Sequence, residues 1–217
     1  MMPVSTRKEN ALIKSVVFDL SEVLIPGLIG IEKRLEELTE KPRDLIAKAL
    51  GSYPYHEIDN VLESLLKGKV SYQEYRSQFL ASTGLSDSYA DVFDAECLKM
   101  FETPYAHTEG LLQSVSQSCD LYLLSDHCDI FATHILNTHS FFRYFKGILW
   151  SYEVSATKKS EMPFAALLER YSLKPSECLF VDDNQVNISV ADRMGFSTIH
   201  FLGPESVPQI YQAIENG

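Results

Sequence analysis

Four side chains that could carry out chemistry stand directly after short apolar runs of the chain: Asp19, Ser125, Asp182 and Asp183. A fifth, Lys158, lies between the second and third of these runs, just before a predicted helix. Carboxylates that crowd together repel each other strongly unless a cation lies between them. Mg²⁺ prefers a few carboxylates together with water and phosphate oxygens. These residue types indicate phosphoryl transfer, in which a carboxylate attacks phosphorus while a metal, a lysine and a hydroxyl neutralise charge.

The apolar runs are typical of β-strands that would bring these side chains together. Val16, Val17 and Phe18 are adjacent and β-branched or aromatic, as in a strand buried on both faces of a parallel sheet. In open α/β sheets, the ligand crevice lies beyond the carboxyl ends of the strands, which is where Asp19 stands. A second interpretation is that Asp19 only caps a turn after the strand.

From residue 105 onwards, predicted strands and helices alternate. Strands are expected over residues 121–124, 147–150, 178–181 and 197–201. Helices are expected over residues 109–118, 130–138, 161–171, 186–194 and 207–214. This alternation predicts an α/β fold with a doubly wound, parallel, Rossmann-like sheet.

A different pattern, helical throughout, occupies the chain between the first two strands. Helices are expected over residues 31–39, 42–50, 55–67 and 89–101, with a further one opening at the capping box of Ser71 and Glu74. The 55–67 helix is expected to present an apolar stripe of Ile58, Val61, Leu62, Leu65 and Leu66. We interpret residues 27–104 as an inserted all-helical cap domain, and residues 1–26 with 105–217 as the catalytic core.

The composition is that of an ordinary globular protein. The chain has 217 residues, of which 45% are apolar and 23% charged, and its net charge is −11. This charge disfavours sequence-independent binding to nucleic acid or to an anionic membrane. It is compatible with a small phosphorylated metabolite as the partner, because a small site can be locally positive. The sequence does not indicate an oligomeric state.

The cysteines and the N-terminus bear on the cellular compartment. The four cysteines are scattered without a C-x-x-C pair, which favours reduced thiols over disulfides or a zinc site. Residues 1–10 lack the apolar core of a signal peptide, and no apolar run is long enough to span a membrane. We therefore expect a cytoplasmic protein.

The motifs resemble those of the haloacid dehalogenase superfamily, in the branch with a helical cap inserted after the first motif. The resemblance covers nearly the whole chain. The four motifs of the family correspond to Phe18 to Leu24 with Asp19 as the nucleophile, Leu123-Leu124-Ser125, Lys158, and Val181 to Asn184 followed by Asn187. The resemblance implies a phosphatase-type hydrolase in which the strands carrying Asp19, Ser125 and Asp182 are neighbours.

A Mg²⁺ site is implied by the same resemblance. Its ligands would be the carboxylates of Asp19 and Asp182 and the backbone carbonyl of Ser21. Asp183 would be a further ligand or a partner of one.

Substrate binding is implied at the same strand ends. The Ser125 hydroxyl and the Lys158 ammonium would bind the transferring phosphoryl group, and Asp126 stands beside them where the family commonly has asparagine. Asn187 would steady Asp182 or Lys158, although a helix-surface amide is an alternative. Lys159 occupies a position where relatives usually have proline, and we expect its side chain to be solvated.

One residue departs from the pattern of most phosphatases in this family, which carry a second aspartate two residues after the nucleophile. Ser21 stands there, and its hydroxyl is a poor proton donor, although general acid–base catalysis is typically worth about 10²–10⁴-fold. A subgroup resembling sugar-phosphate phosphatases has a small residue at this position and is nonetheless hydrolytic. Glu22 is displaced by one residue, and His127 is a candidate acid that we expect to be an exposed loop histidine instead.

Three functions follow from these observations. The one we favour is a Mg²⁺-dependent phosphatase acting through a phosphoaspartate on Asp19. The alternative is a catalytically weakened relative, with Ser21 in place of the acid, that binds a phosphorylated ligand or a protein partner. The third is a carbon–halogen hydrolase without a metal. Tyr53, Tyr55, His56 and the helix opening at Ser71 are candidates to line the site beneath the cap, although aromatic residues at helical spacing are also typical of a cap core.

Overall fold

A computed structural model describes residues 12–51 and 60–216. Its sheet has five strands that are all parallel, in the spatial order β3-β2-β1-β4-β5. The strands are β1 (Ser15–Phe18), β2 (Asp120–Ser125), β3 (Phe145–Trp150), β4 (Cys178–Asp182) and β5 (Ser197–His200). The predicted α/β class and parallel sheet are confirmed, and the strands that carry Asp19, Ser125 and Asp182 are neighbours.

The register of the strands aligns their carboxyl ends. Phe18 of β1 is paired with Leu123 of β2 on one side and with Val181 of β4 on the other. The residues that follow Phe18 and Val181 are Asp19 and Asp182, which therefore leave the sheet at the same level. The strand order reverses next to β1, since β2 and β3 lie on one side of it and β4 and β5 on the other. Open α/β sheets form their ligand crevice at such a point.

The helical block, residues 27–104, contains five α-helices in the described part of the chain. They are α1 (Ile31–Thr39), α2 (Arg43–Leu50), α3 (Val61–Leu66), α4 (Tyr72–Thr83) and α5 (Ala90–Lys99). The capping box forms as expected, since the Ser71 amide donates to Glu74 Oε2 at 2.7 Å and the Glu74 amide donates to Ser71 Oγ at 3.2 Å. The division of the chain into a core and a cap at residues 27 and 104 stays a prediction.

The helix expected over residues 55–67 is wrong in its start, and its buried face includes a glutamate that was not expected there. Asn60 has an extended backbone and caps α3, because its Oδ1 accepts the Glu63 amide at 2.7 Å. Of the expected apolar stripe, Leu65 is buried, and the other side chain of α3 that is buried is Glu63. Val61 and Leu62 of the stripe are half-buried and pack against the core. Four residues of these predictions lie outside the described residues: Ile58, Tyr53, Tyr55 and His56.

The helices after the block complete a three-layer architecture. They are α6 (Thr108–Val115), α7 (Asp129–Thr138), α8 (Ser151–Val154), α9 (Met162–Tyr171), α10 (Gln185–Arg193) and α11 (Val207–Glu215). Alternate residues of β1 face opposite layers, as strand geometry requires. Val17 packs with α9 and α10, whereas Val16 and Phe18 share a core with α6, α7, α11 and the helical block. No helix in the described part of the chain is long and apolar enough to cross a membrane.

Candidate active site

Three carboxylates converge at the carboxyl ends of β1 and β4. One oxygen from each of Asp19, Asp182 and Asp183 lies within 4.8 Å of the other two, and this is the one such cluster of potential metal ligands among residues 12–51 and 60–216. Asp19 and Asp182 are buried, and Asp183 is half-buried. The aligned register of the strands therefore concentrates negative charge at one point.

The ammonium of Lys158 lies within this cluster. Its Nζ is 2.6 Å from Asp19 Oδ1 and 2.7 Å from Asp182 Oδ2, and the side chain is fully buried. Burial alone would lower the pKa of Lys158, but the charges of Asp182, Asp19 and Asp126 outweigh it and raise that pKa above its usual value. Lys158 is therefore a permanent cation at this site.

Amide groups hold both buried carboxylates in place. The Leu20 amide donates to Asp19 Oδ1 at 2.7 Å, and the Asn184 amide donates to Asp182 Oδ1 at 2.8 Å. Asn187 is buried, and its Nδ2 donates to both oxygens of Asp182 at 3.0 and 3.2 Å. Asn187 is therefore not a helix-surface amide, and its contact is the one expected of a residue that steadies Asp182.

One lysine does not balance the negative charge of the cluster. Burial raises the pKa of Asp182, and burial together with repulsion from Asp19 and Asp182 raises the pKa of Asp183. Three carboxylate oxygens within 4.8 Å, one of them on a half-buried residue, match the hard oxygen ligands that Mg²⁺ prefers. The residues present therefore fit a magnesium ion held by Asp19, Asp182 and Asp183. The contribution of the Ser21 carbonyl stays a prediction.

The end of β2, the strand next to β1, supplies a buried hydroxyl at the same edge of the sheet. Ser125 Oγ has no hydrogen-bond partner among the described residues, although buried polar atoms are paired in most proteins. Beside it, both oxygens of Asp126 accept the Lys158 amide at 3.3 Å, and burial raises the pKa of Asp126 to about 7. An unpaired hydroxyl near a buried ammonium is suited to an anionic ligand such as phosphate.

The expectation that His127 is exposed is wrong. Its ring is 4% exposed and lies edge-on to Phe101 and Trp150, with centroid distances of 5.4 and 5.8 Å. His127 Nε2 lies 3.0 Å from Ser21 Oγ. Burial, with a smaller effect of Lys158, lowers the pKa of His127 to about 3, so the ring that shares a hydrogen bond with the Ser21 hydroxyl is neutral. The structure thus pairs a histidine with the residue that replaces the usual aspartate.

The carboxylate of Glu22 is engaged in other hydrogen bonds and does not replace the aspartate that is missing at position 21. Its Oε1 accepts the Gly27 amide at 2.7 Å, and its Oε2 accepts the Tyr105 hydroxyl at 2.8 Å. The backbone of Glu22 is left-handed, with φ of 60°. Its two hydrogen bonds therefore stabilise the turn after β1.

Lys159 is not simply solvated, as the sequence led us to expect. Its side chain is 41% exposed, yet its Nζ lies 2.7 Å from Oε2 of the buried Glu63 in α3. Sequence reasoning missed Glu63, because a glutamate on an amphipathic helix normally faces solvent.

A comparison with protein families identifies the class of protein that this fold and site define. A model of haloacid dehalogenase-like hydrolases matches residues 13–195, which is most of the chain. The chain therefore belongs to the haloacid dehalogenase-like hydrolase family. The predicted superfamily is confirmed, whereas its branch within the superfamily stays a prediction.

Curated relatives are identical to this chain at about a quarter of the aligned positions. Bifunctional epoxide hydrolase 2 of Rattus norvegicus is 23% identical over 205 residues, which cover 86% of this chain and 36% of that protein. Acyl-CoA dehydrogenase family member 10 of Mus musculus is 24% identical over 217 residues, covering 93% of this chain and 19% of that protein. The chain thus spans well under half the length of these relatives.

Solved structures share the fold over nearly the whole chain. The HAD family enzyme BT-2542 of Bacteroides thetaiotaomicron has a TM-score of 0.76 at 23% identity, covering 93% of this chain and 99% of that one. Its complex with magnesium and inorganic phosphate has a TM-score of 0.72 at 23% identity, covering 86% and 93%. L-2-haloacid dehalogenase of Xanthobacter autotrophicus has a TM-score of 0.66 at 17% identity, covering 91% and 82%. At these identities the likeness shows a common fold.

Proposed function

We propose that this protein is a Mg²⁺-dependent phosphatase that hydrolyses a small phosphorylated metabolite through a phosphoaspartate on Asp19. The observation that carries the proposal is the buried Lys158 ammonium between Asp19 and Asp182, with the unpaired Ser125 hydroxyl at the end of the neighbouring strand β2. The magnesium and phosphate complex of the Bacteroides enzyme supports it, because that enzyme has the same fold. A cytoplasmic location belongs to the same proposal.

In the first step, a carboxylate oxygen of Asp19 forms a bond to phosphorus as the bond from phosphorus to the ester oxygen breaks. The Leu20 amide and Lys158 both hold Oδ1, which leaves Oδ2 without a hydrogen bond in the part of the chain described here. Lys158 and Ser125 bind and orient the phosphoryl oxygens. When bound by Asp19, Asp182 and Asp183, Mg²⁺ supplies positive charge that neutralises the phosphoryl group.

Proton transfer is the step for which this chain lacks the usual group. Ser21 stands where most phosphatases of the family have an aspartate, and its hydroxyl is hydrogen-bonded to His127 at 3.0 Å. A hydroxyl is a much weaker acid than a carboxyl group, so leaving groups that need protonation should depart slowly. We therefore expect turnover that is slower than that of an aspartate-containing enzyme by up to about 10²–10⁴-fold.

Ser21 also favours a second candidate function. If Ser21 supplies no proton at a useful rate, the protein binds a phosphorylated ligand or a protein partner without hydrolysing it. The buried charges of Lys158, Asp19 and Asp182 would serve such binding equally well.

Phosphate release from p-nitrophenyl phosphate, measured with Mg²⁺ and with EDTA, tests the proposal. Mg²⁺-dependent release that Asp19→Asn abolishes and Asp120→Asn retains would support the phosphatase. Asp120 is a suitable control because it lies on β2 with its side chain 46% exposed, paired with Lys146. A screen of phosphorylated metabolites would then define the substrate.

Two other results would contradict the phosphatase. Calorimetric binding of orthovanadate without any turnover would favour the ligand-binding function. Chloride release from 2-chloropropionate in the absence of metal would instead indicate a dehalogenase.

A further inference from the structure

Glu63 is a buried carboxylate outside the candidate metal site. It lies on α3 of the helical block and is 6% exposed. Its Oε1 accepts Thr157 Oγ1 at 2.6 Å and lies 3.1 Å from Lys67 Nζ, and its Oε2 lies 2.7 Å from Lys159 Nζ. Two of these three partners therefore come from the loop between α8 and α9, and one comes from the end of α3 itself.

Those two loop residues flank Lys158 in the chain. The Glu63 carboxylate thus holds the loop immediately before and immediately after the residue that contacts Asp19 and Asp182. On the other side, the backbone amide of Lys158 is held by Asp126 at 3.3 Å. The backbone of Lys158 is therefore fixed from two directions, one of which depends on α3 being seated on the sheet domain.

The electrostatic balance at Glu63 favours a lasting contact. Burial would raise the pKa of Glu63, but the hydrogen bonds from Lys159, Thr157 and Lys67 together lower it below its usual value. A buried carboxylate with cationic and hydroxyl partners has no need of a further ligand. The contact is thus complete within the protein.

A second contact seats the end of α3 without involving the Lys158 loop. Ser151 Oγ, at the start of α8, donates to the Leu66 carbonyl at 2.6 Å. Next to it, a Cβ on Gly68 would lie 3.3 Å from the Tyr152 carbonyl oxygen, so the backbones approach closely. Helix α3 therefore contacts the rest of the protein at these two places. Of the two, only the contact at Glu63 involves the loop that carries Lys158.

We propose that Glu63 is a positioning residue that couples the seating of α3 on the sheet domain to the placement of the Lys158 ammonium. Its ionic contact with the loop uses Lys159, the residue that stands where relatives usually have proline. The inference about catalysis rests on the proposed phosphatase function, whereas the inference about the loop does not. A displacement of about 1 Å at a reacting group costs up to roughly 10²-fold in rate, so the expected effect is on kcat.

The test compares two matched variants that each remove one ammonium from Glu63. Lys159→Met removes the ionic contact with the loop and leaves the Thr157 hydrogen bond in place, whereas Lys67→Met removes the ionic contact at the end of α3. Hydrogen–deuterium exchange of the amides of residues 156–160 is measured in the full chain, with kcat and KM for p-nitrophenyl phosphate in Mg²⁺. Thermal melting of both variants verifies that they are folded.

For Lys159→Met we expect exchange of the loop amides to rise about 10-fold and kcat to fall about 10- to 100-fold, with KM within about 2-fold of wild type. For Lys67→Met we expect loop exchange and kcat within about 2-fold of wild type. A double variant, Glu63→Lys with Lys159→Glu, should recover part of the loss because it restores opposite charges at the same pair of positions.

Each other outcome has a definite meaning. Wild-type exchange in Lys159→Met, or an equal rise in both variants, would overturn the proposal whatever the turnover. If the loop amides of Lys159→Met exchanged faster while its kcat equalled that of an active wild type, the proposed coupling to Lys158 would be overturned. Raised exchange in Lys159→Met alone, with no turnover by the wild type, would contradict the phosphatase but support the tie between α3 and the loop.

Discussion

Lys158 and Lys159 are adjacent in the chain, yet their ammonium groups belong to opposite kinds of charge cluster. Lys158 is buried among the carboxylates of Asp19 and Asp182, with Asp183 and Asp126 nearby, so negative charge exceeds positive charge. Lys159 shares the single carboxylate of Glu63 with Lys67 and a threonine hydroxyl, so that charge is fully compensated.

This difference indicates that the cluster around Lys158 is suited to binding a ligand, whereas the cluster around Glu63 stabilises the fold. At the strand ends, the raised pKa values of Asp182 and Asp183 and the unpaired Ser125 hydroxyl are features that a cation and a phosphate would relieve. At Glu63, the lowered pKa shows a carboxylate already stabilised by its partners. Substitutions in the two clusters should therefore have effects of different size on turnover and stability, and these effects should respond differently to Mg²⁺.

The largest expected effect is that of Lys158→Met. Its loss should reduce turnover by about 10³-fold or more, because the phosphoryl group loses its buried cationic partner. The metal-free protein should also lose about 3–5 kcal/mol of unfolding free energy, since two buried carboxylates lose their counter-charge. Urea unfolding with and without Mg²⁺ measures this. If Lys159→Met lowered turnover as much as Lys158→Met, the distinction between the clusters would be wrong.

The next effect is a gain of activity at the acid–base position. Ser21→Asp should raise turnover of glycerol 2-phosphate, an alkyl ester whose leaving group needs protonation, by about 10²-fold, because it restores a carboxyl group two residues after the nucleophile. Ser21→Ala is the control, and it should not reproduce the gain. Unchanged activity in Ser21→Asp would mean that another group already moves the proton.

The pH dependence of stability sharpens the comparison at Glu63. Its pKa is lowered in the folded protein from the usual 4.5, so its stabilising contribution is complete above that pH and is lost as the pH falls through the folded value. Glu63→Gln should therefore be less stable than wild type at neutral pH by about 1–3 kcal/mol, with the gap closing in acid. Urea titrations of both proteins at a series of pH values from 7 down to 2 test this, and a gap that did not narrow as the pH fell would contradict it.

The smallest effect is expected at an exposed ion pair. Lys146 and Asp120 lie 2.7 Å apart with side chains 61% and 46% exposed. Exposed pairs contribute little because water and salt screen them. Lys146→Ala should leave the urea midpoint and the turnover unchanged, and a clear loss in either would show that exposure is a poor guide in this protein.

The sheet and the meeting of its strand ends could be predicted from the sequence, because they follow from local signals. Buried strands read as apolar runs, and each run was followed by the polar residue that the structure places at the common edge, as for Asp19 and Asp182. The capping box of Ser71 and Glu74 is equally local.

What could not be predicted depends on contacts between distant parts of the chain. The burial of His127 follows from the rings of Phe101 and Trp150, which come from separate elements. The burial of Glu63 depends on a loop some ninety residues away, since its partner Thr157 is separated from it by 94 positions. Periodicity on a single helix carries no information about such partners.

The most direct test of the strand-end site is a rapid acid quench during turnover of p-nitrophenyl phosphate in Mg²⁺, followed by peptide mass spectrometry. We predict a mass increase of one phosphoryl group on the peptide containing Asp19 in the wild type, and none in EDTA or in Asp19→Asn. Phosphate release that continues in Asp19→Asn, or a phosphoryl group on a different residue, would contradict the account.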